Sequence, residues 1–231
     1  LLPYVREQGY THLELLPKDK VRVLVRDIGG GFGMRVGIQP DESVAVWAAK
    51  VLKRPVKWRA ERGEEFAAAT AGRDQLHKAS LALDKDGRFL ALRMEAFANV
   101  GAYPSPAGIA IPLFVGPKVT TGTYDIPVVD LRITCVLSHT ATIGAYRGAG
   151  RPECLLNLER MVDTAARQIG MDPAELRRRN FVKPAQMPYT SAMGEKYDSG
   201  DFNLFLTKTL EAADWAGFAG RKAEAEKRGK L

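Results

Sequence analysis

The segment from Glu153 to Ile169 sets the terms for the fold. Leu155, Leu158, Met161, Val162, Ala165 and Ile169 recur at helical spacing, so one face of a long helix is apolar and needs a partner surface. Gly170 is a good stop for it. Asp172-Pro173 then restarts the chain as a second helix, with a capping residue and a proline in the favoured order, running through Arg179 to Asn180. The partner surface is legible upstream. His77 to Leu83 and Phe89 to Phe97 read as strands joined by the turn Asp84-Lys85-Asp86-Gly87, and Val128 to Leu137 again has strand character. The proline- and glycine-rich residues 101–127 read as a long ordered loop with a short helix. Val21, Val23 and Val25, alternating with Arg22, Leu24 and Arg26, predict a strand over Val21 to Ile28. A helix is expected from Asp41, its cap, to Lys53, with Pro55 just beyond its end, and a strand at Val56 to Arg59. A helical pattern ends before Pro17, a last helix is expected from Phe202 to Ala213, and the chain after Ala219 is polar and helical at most. Strands and helices in this irregular order give an α+β class, with mixed sheets and flanking helices.

Composition excludes several functions. The net charge is +7, from 34 basic and 27 acidic residues. Much of it lies in Arg177-Arg178-Arg179 and in a tail with Arg221, Lys222, Lys227, Arg228 and Lys230. These runs read as solvated helix faces, and without interleaved aromatics they do not predict nucleic-acid binding. The longest weakly polar stretch, Ala107 to Val115, is interrupted by Pro112 and is well short of the roughly 18–20 residues of a membrane span. Cys135 and Cys154 form neither a disulfide framework nor a CxxC pair, which fits a reducing, cytoplasmic setting with no zinc or iron–sulfur site held by this chain. His12, His77 and His139 have no ligand spacing, so no protein-ligated metal is expected, and Ser138 beside His139 does not make a nucleophile–base pair. The chain opens on Leu1-Leu2-Pro3-Tyr4 without Met and reads as the middle of a longer polypeptide.

Two glycine-rich segments carry the chemistry. Gly29-Gly30-Gly31-Phe32-Gly33 follows the predicted strand, and its amides suit an oxyanion or oxo group. Met34 and Val36 stand where a dinucleotide fingerprint needs glycine, and no phosphate-loop pattern is present, so a nucleotide-binding Rossmann domain is not expected. Gly144-Ala145-Tyr146-Arg147-Gly148-Ala149-Gly150-Arg151 precedes the long helix, where free amides and arginines suit an anion. Spacing alone leaves two plainer readings open: a turn with only a packing role, and arginines that pair with nearby carboxylates.

These segments occur in an ordered set. Arg54-Pro55-Val56 with Arg59-Ala60-Glu61-Arg62, Asn99-Val100-Gly101-Ala102-Tyr103, Tyr124-Asp125-Ile126-Pro127, Gly170 to Asn180 and Tyr197-Asp198-Ser199-Gly200 complete it. The set resembles the large, molybdenum-binding subunit of the xanthine oxidase family over roughly residues 3–215. The resemblance implies that residues 1–218 are part of a molybdopterin cofactor-binding domain, followed by a polar tail or helix over 219–231. It implies a pterin-held molybdenum cofactor, in its cytosine dinucleotide form, that hydroxylates a carbon with water as oxygen source. Iron–sulfur clusters and FAD would lie on partners: the rest of the large subunit, an iron–sulfur small subunit and a flavoprotein medium subunit. Gly30, Gly31, Phe32 and Gly33 would lie near the cofactor on one side, and Ala145, Tyr146, Arg147 and Gly148 on the other. Three positions depart from purine oxidisers, with Val36, Val115 and Ala149 where those place a glutamate, an arginine and a phenylalanine. Gly148 stands where aerobic carbon monoxide dehydrogenases carry a copper-binding cysteine. The resemblance puts the family's glutamine before Leu1 and its base glutamate beyond position 231. No catalytic residue is therefore assigned within this chain, and the chain alone is expected to be inactive. The rival expectation is a scaffold or interaction domain that keeps the fold without the cofactor.

Overall fold

The computed structural model describes residues 21–230, and these divide after Ala69 into two units. The helical pattern ahead of Pro17, and His12 within it, lie outside the described residues.

In the first unit, residues 21–28 form no strand, contrary to their alternation. Alternation decides which face a strand would show, but a strand exists only where a neighbour completes its hydrogen bonds, and none of the described residues does so. Val56 to Arg59 is likewise irregular. Helix α1 spans Pro40–Leu52. Its cap is Gln39 rather than Asp41: the Gln39 N–H donates to Glu42 Oε2 at 2.9 Å, and Pro40 takes the first helical position. Lys53 closes α1 in the left-handed conformation. A second helix that the strand reading missed, α2 at Arg62–Ala68, begins where the Glu61 N–H donates to Glu64. Arg35 pairs with Glu65 on α2.

In the second unit the hairpin is present. Strand β1 (Gln75–Leu83) runs antiparallel to β2 (Phe89–Gly101), and Asp84 Oδ1 accepts the turn N–H groups of Asp86 and Arg88, each at 2.9 Å. Strand β3 (Val128–Leu137) lies parallel to β2, giving the order β1-β2-β3. A parallel pair needs a crossover. Residues 102–127 supply it, with helix α3 (Pro106–Ala110) capped by Ser105, a π-helical turn (Ile111–Val115) and a 3-10 turn (Pro117–Val119).

The long helix α4 (Arg151–Gln168) buries Leu158, Val162 and Ala165 of its predicted stripe and half-buries Met161, while Leu155 near its start and Ile169 just past its end are exposed. Leu158, Val162, Ala165 and Ala166 join Phe89, Leu92 and Met94 of the sheet in one core with Tyr124, Ile126, Leu176 and Phe181. Helix α5 (Pro173–Asn180) is capped by Asp172, whose Oδ1 accepts the N–H of Ala174 at 2.8 Å and of Glu175 at 3.0 Å. Arg177 joins α5 to α4 through Glu159 and Asp163, at 2.7 and 2.8 Å. A small antiparallel pair, β4 (Tyr189–Thr190) and β5 (Lys196–Tyr197), was not foreseen. Helices α6 (Phe202–Ala212) and α7 (Phe218–Lys227) follow, and Phe202 and Leu206 of α6 pack on the core. No helix among the described residues is long and apolar enough to cross a membrane.

Candidate functional site

The loop before α4 is a tight turn. The Ala149 N–H donates to Tyr146 O at 2.8 Å, and the Arg151 N–H to Gly148 O at 3.2 Å. Gly148 has φ +101°, and a Cβ there would fall 2.6 Å from Pro152 Cγ, so a side chain is excluded on both counts. Ala149 holds φ +45° despite its Cβ, a strain of about 1–2 kcal/mol for a non-glycine residue. Gly150 approaches Gly116 backbone to backbone, since a Cβ on Gly150 would lie 3.0 Å from Gly116 N. Val115 precedes Gly116 and Ala149 precedes Gly150, so two of the three departing positions flank one contact. Among the described residues the exposed Gly148 N–H has no acceptor.

The other glycine segment, in the first unit, is also a turn. The Arg35 N–H donates to Gly31 O and the Val36 N–H to Gly33 O, both at 3.3 Å. Phe32 is left-handed at φ +48°, between Gly30 and Gly33 with φ +117° and +90°. The N–H groups of Gly30, Gly31 and Gly33 donate to no acceptor among the described residues, and Val36 is exposed. Each segment thus offers unused backbone donors beside a strained non-glycine residue, a pairing typical of ligand sites.

Sequence reasoning missed a cluster beside the α4 loop. Arg73 Nη1 donates to Tyr146 O at 2.9 Å and Nη2 to Arg147 O at 2.5 Å, while the guanidinium lies 5.0 Å from the Tyr146 ring centroid. Arg73 is also 3.9 Å from Glu153, which is only 8% exposed. Nearby, Arg73, His77, Pro152 and Glu153 line a cavity of about 440 Å3. His77 Nε2 meets Gln75 Oε1 at 2.8 Å; His77 Nδ1 and Glu153 Oε2 have no partner among the described residues. Burial lowers the His77 pKa, and the Glu153 charge opposes that shift. No sequence signal reveals the cluster, because Arg73 and its carbonyl partners are more than 70 residues apart.

Residues of four other family-like motifs, all in the second unit, serve the fold. Tyr124 and Ile126 are core residues, Asp172 is a cap, Tyr197 donates to Gly122 O at 2.7 Å, and Asn99 Oδ1 accepts from Gly101 N and Ser138 Oγ.

The family described as molybdopterin cofactor-binding domain matches residues 3–181. The chain belongs to that family. The carbon monoxide dehydrogenase large chain of Hydrogenophaga pseudoflava is 38% identical over 226 residues, which cover 96% of this chain and 28% of that one. The 6-hydroxypseudooxynicotine dehydrogenase complex subunit gamma of Paenarthrobacter nicotinovorans is 36% identical over 211 residues, 87% of this chain and 26% of that one. Among solved structures, quinoline 2-oxidoreductase from Pseudomonas putida 86 matches with a TM-score of 0.84 at 37% identity, covering 88% of this chain and 26% of that one. This molybdopterin-binding chain therefore spans under a third of the length of these relatives. The resemblance to the molybdenum-binding large subunit of the xanthine oxidase family is borne out, as is the α+β class. The unused glycine N–H groups suit a cofactor rich in oxo and phosphate oxygens.

Proposed function

We propose that this chain forms part of the cofactor cradle of a molybdenum hydroxylase that oxidises an aldehyde, an aromatic heterocycle or an aryl thioester. The carrying observation is the loop before α4, which joins the family match to an unused Gly148 N–H that no side chain can crowd. In this reading Gly30, Gly31, Phe32 and Gly33 of the first unit, and Ala145, Tyr146, Arg147 and Gly148 of the second, are cofactor-binding residues. Their backbone donors orient it and compensate its oxygen charge without reorganising. When bound, the cofactor, taken here in its cytosine dinucleotide form, supplies two-electron oxidation with water as the oxygen source. Residues of the rest of the large subunit move the proton, and an iron–sulfur small subunit and a flavoprotein medium subunit, all cytoplasmic, take the electrons.

By the resemblance, Val36, Val115 and Ala149 stand where purine oxidisers place a glutamate, an arginine and a phenylalanine, so each of these substrate positions is apolar here. A purine loses two charge-assisted partners there, each worth about 1.5–3 kcal/mol, so its transition state is weakened by about two to four orders of magnitude. Gly148 has no thiolate to hold copper, so carbon monoxide is also a poor substrate. Steady-state kcat/KM of the intact complex tests this across an aldehyde, a heterocycle, an aryl thioester, xanthine and carbon monoxide. One of the first three should win, and a lead for xanthine or carbon monoxide overturns the reading.

A further inference from the structure

We infer that Arg73 is a positioning residue that fixes the two peptide planes entering Arg147 and Gly148 and so aims the Gly148 N–H at the cofactor, an inference that rests on the function proposed above. In a trans peptide the C=O and the following N–H lie in one plane and point in opposite directions. Tyr146 O shares its plane with the Arg147 N–H, and Arg147 O shares its plane with the Gly148 N–H. Arg73 holds both oxygens with its two terminal nitrogens, at 2.9 and 2.5 Å. Two consecutive peptide planes are therefore fixed at once, and both of their N–H groups face away from the guanidinium. A two-pronged planar donor is suited to this task and a lysine ammonium is not.

The surrounding contacts hold Arg73 itself. Residues before it are zipped to the same segment: the Ala71 N–H donates to Thr142 O at 3.1 Å, and the Gly144 N–H to Ala71 O at 2.8 Å. At Gly72 a Cβ would come 2.7 Å from Tyr146 Cβ, so the strap lies directly against the loop. Arg73 is left-handed at φ +79°, a strained conformation for a non-glycine residue. Glu153 supplies a buried carboxylate 3.9 Å from Arg73 Nη1.

The test uses the intact complex with Arg73→Lys, which keeps a cation beside Glu153, and the double variant Arg73→Gln/Glu153→Gln, which removes both charges. Four readouts are taken: molybdenum content, steady-state kcat and KM, the Mo(V) electron paramagnetic resonance signal, and hydrogen exchange in residues 144–150 against residues 158–166 of α4. Both variants should lose about tenfold or more in molybdenum content or in kcat at unchanged KM, with a shifted resonance signal. Exchange should rise in 144–150 and stay as in the parent protein in 158–166. Parent-like molybdenum, signal and exchange in both variants would overturn the inference. So would a parallel rise in exchange through α4, which marks a purely structural role. If the parent complex itself holds no molybdenum, the proposed function and the aiming role toward the cofactor fail, and exchange in 144–150 alone reports whether Arg73 clamps the loop.

Discussion

Asn180 shows how much one buried side chain carries. Its Oδ1 accepts the Phe89 N–H, and its Nδ2 donates to Gly87 O and Leu176 O, all at 2.8 Å. One amide thus ties the end of α5 to the β1–β2 turn. Asn180→Leu should cost about 2–4 kcal/mol in denaturant unfolding, because it leaves buried backbone groups without partners. Ala149→Gly should act the other way. Relief of its left-handed strain exceeds the extra chain entropy of glycine, for a gain of about 0.5–1 kcal/mol in the same assay. Tyr189 gives a pH signature. Burial and then its hydrogen bond to Asp125 push its pKa up to about 12. A phenol raised in the folded state contributes stability below its unfolded pKa, near 10, that is lost as pH rises to about 12. Ultraviolet titration of tyrosinate should show this late ionisation, and Tyr189→Phe should remove it.

Among the elements, α4 organises the second unit. Leu158 is 0% exposed and sits where Gly122 leaves room, with its Cδ2 2.9 Å from the Cβ position of that glycine. Leu158→Ala should therefore cost about 3–5 kcal/mol by thermal or denaturant unfolding. This helix, α5 with its Asp172 cap, the β1–β2 hairpin and β3 were legible because their signals are local: a 3.6-residue stripe, a cap followed by proline, an aspartate turn. Val21 to Ile28 failed because pairing is decided by a neighbour the alternation does not contain. Helix α2 was hidden by a strand reading of the stretch around it, although Glu61 and Glu64 form its cap. At the site, the two glycine-rich segments could be picked out from composition. The Arg73 clamp and the Gly116–Gly150 approach could not, since each joins residues distant in sequence through backbone atoms that carry no residue-specific signal.

On the scale of the whole molecule, the chain covers under a third of the relatives it matches, and the proposed function gives its residues one part of the cofactor cradle. The 231-residue chain purified alone should accordingly carry little molybdenum and reduce no dye with aldehyde, purine or carbon monoxide, as metal analysis and dye assays would show. The proposed function places the loop before α4 among the residues that hold a molybdenum cofactor. Its most direct test is the molybdenum and cytidine monophosphate content of the intact complex from a molybdenum-replete host, for the parent protein and for Gly148→Val. Loading should be stoichiometric in the parent. It should be largely lost in Gly148→Val, because the added Cβ would fall 2.6 Å from Pro152 Cγ on a backbone held at φ +101°. A parent complex without molybdenum, or a Gly148→Val complex loaded like the parent, would contradict the account.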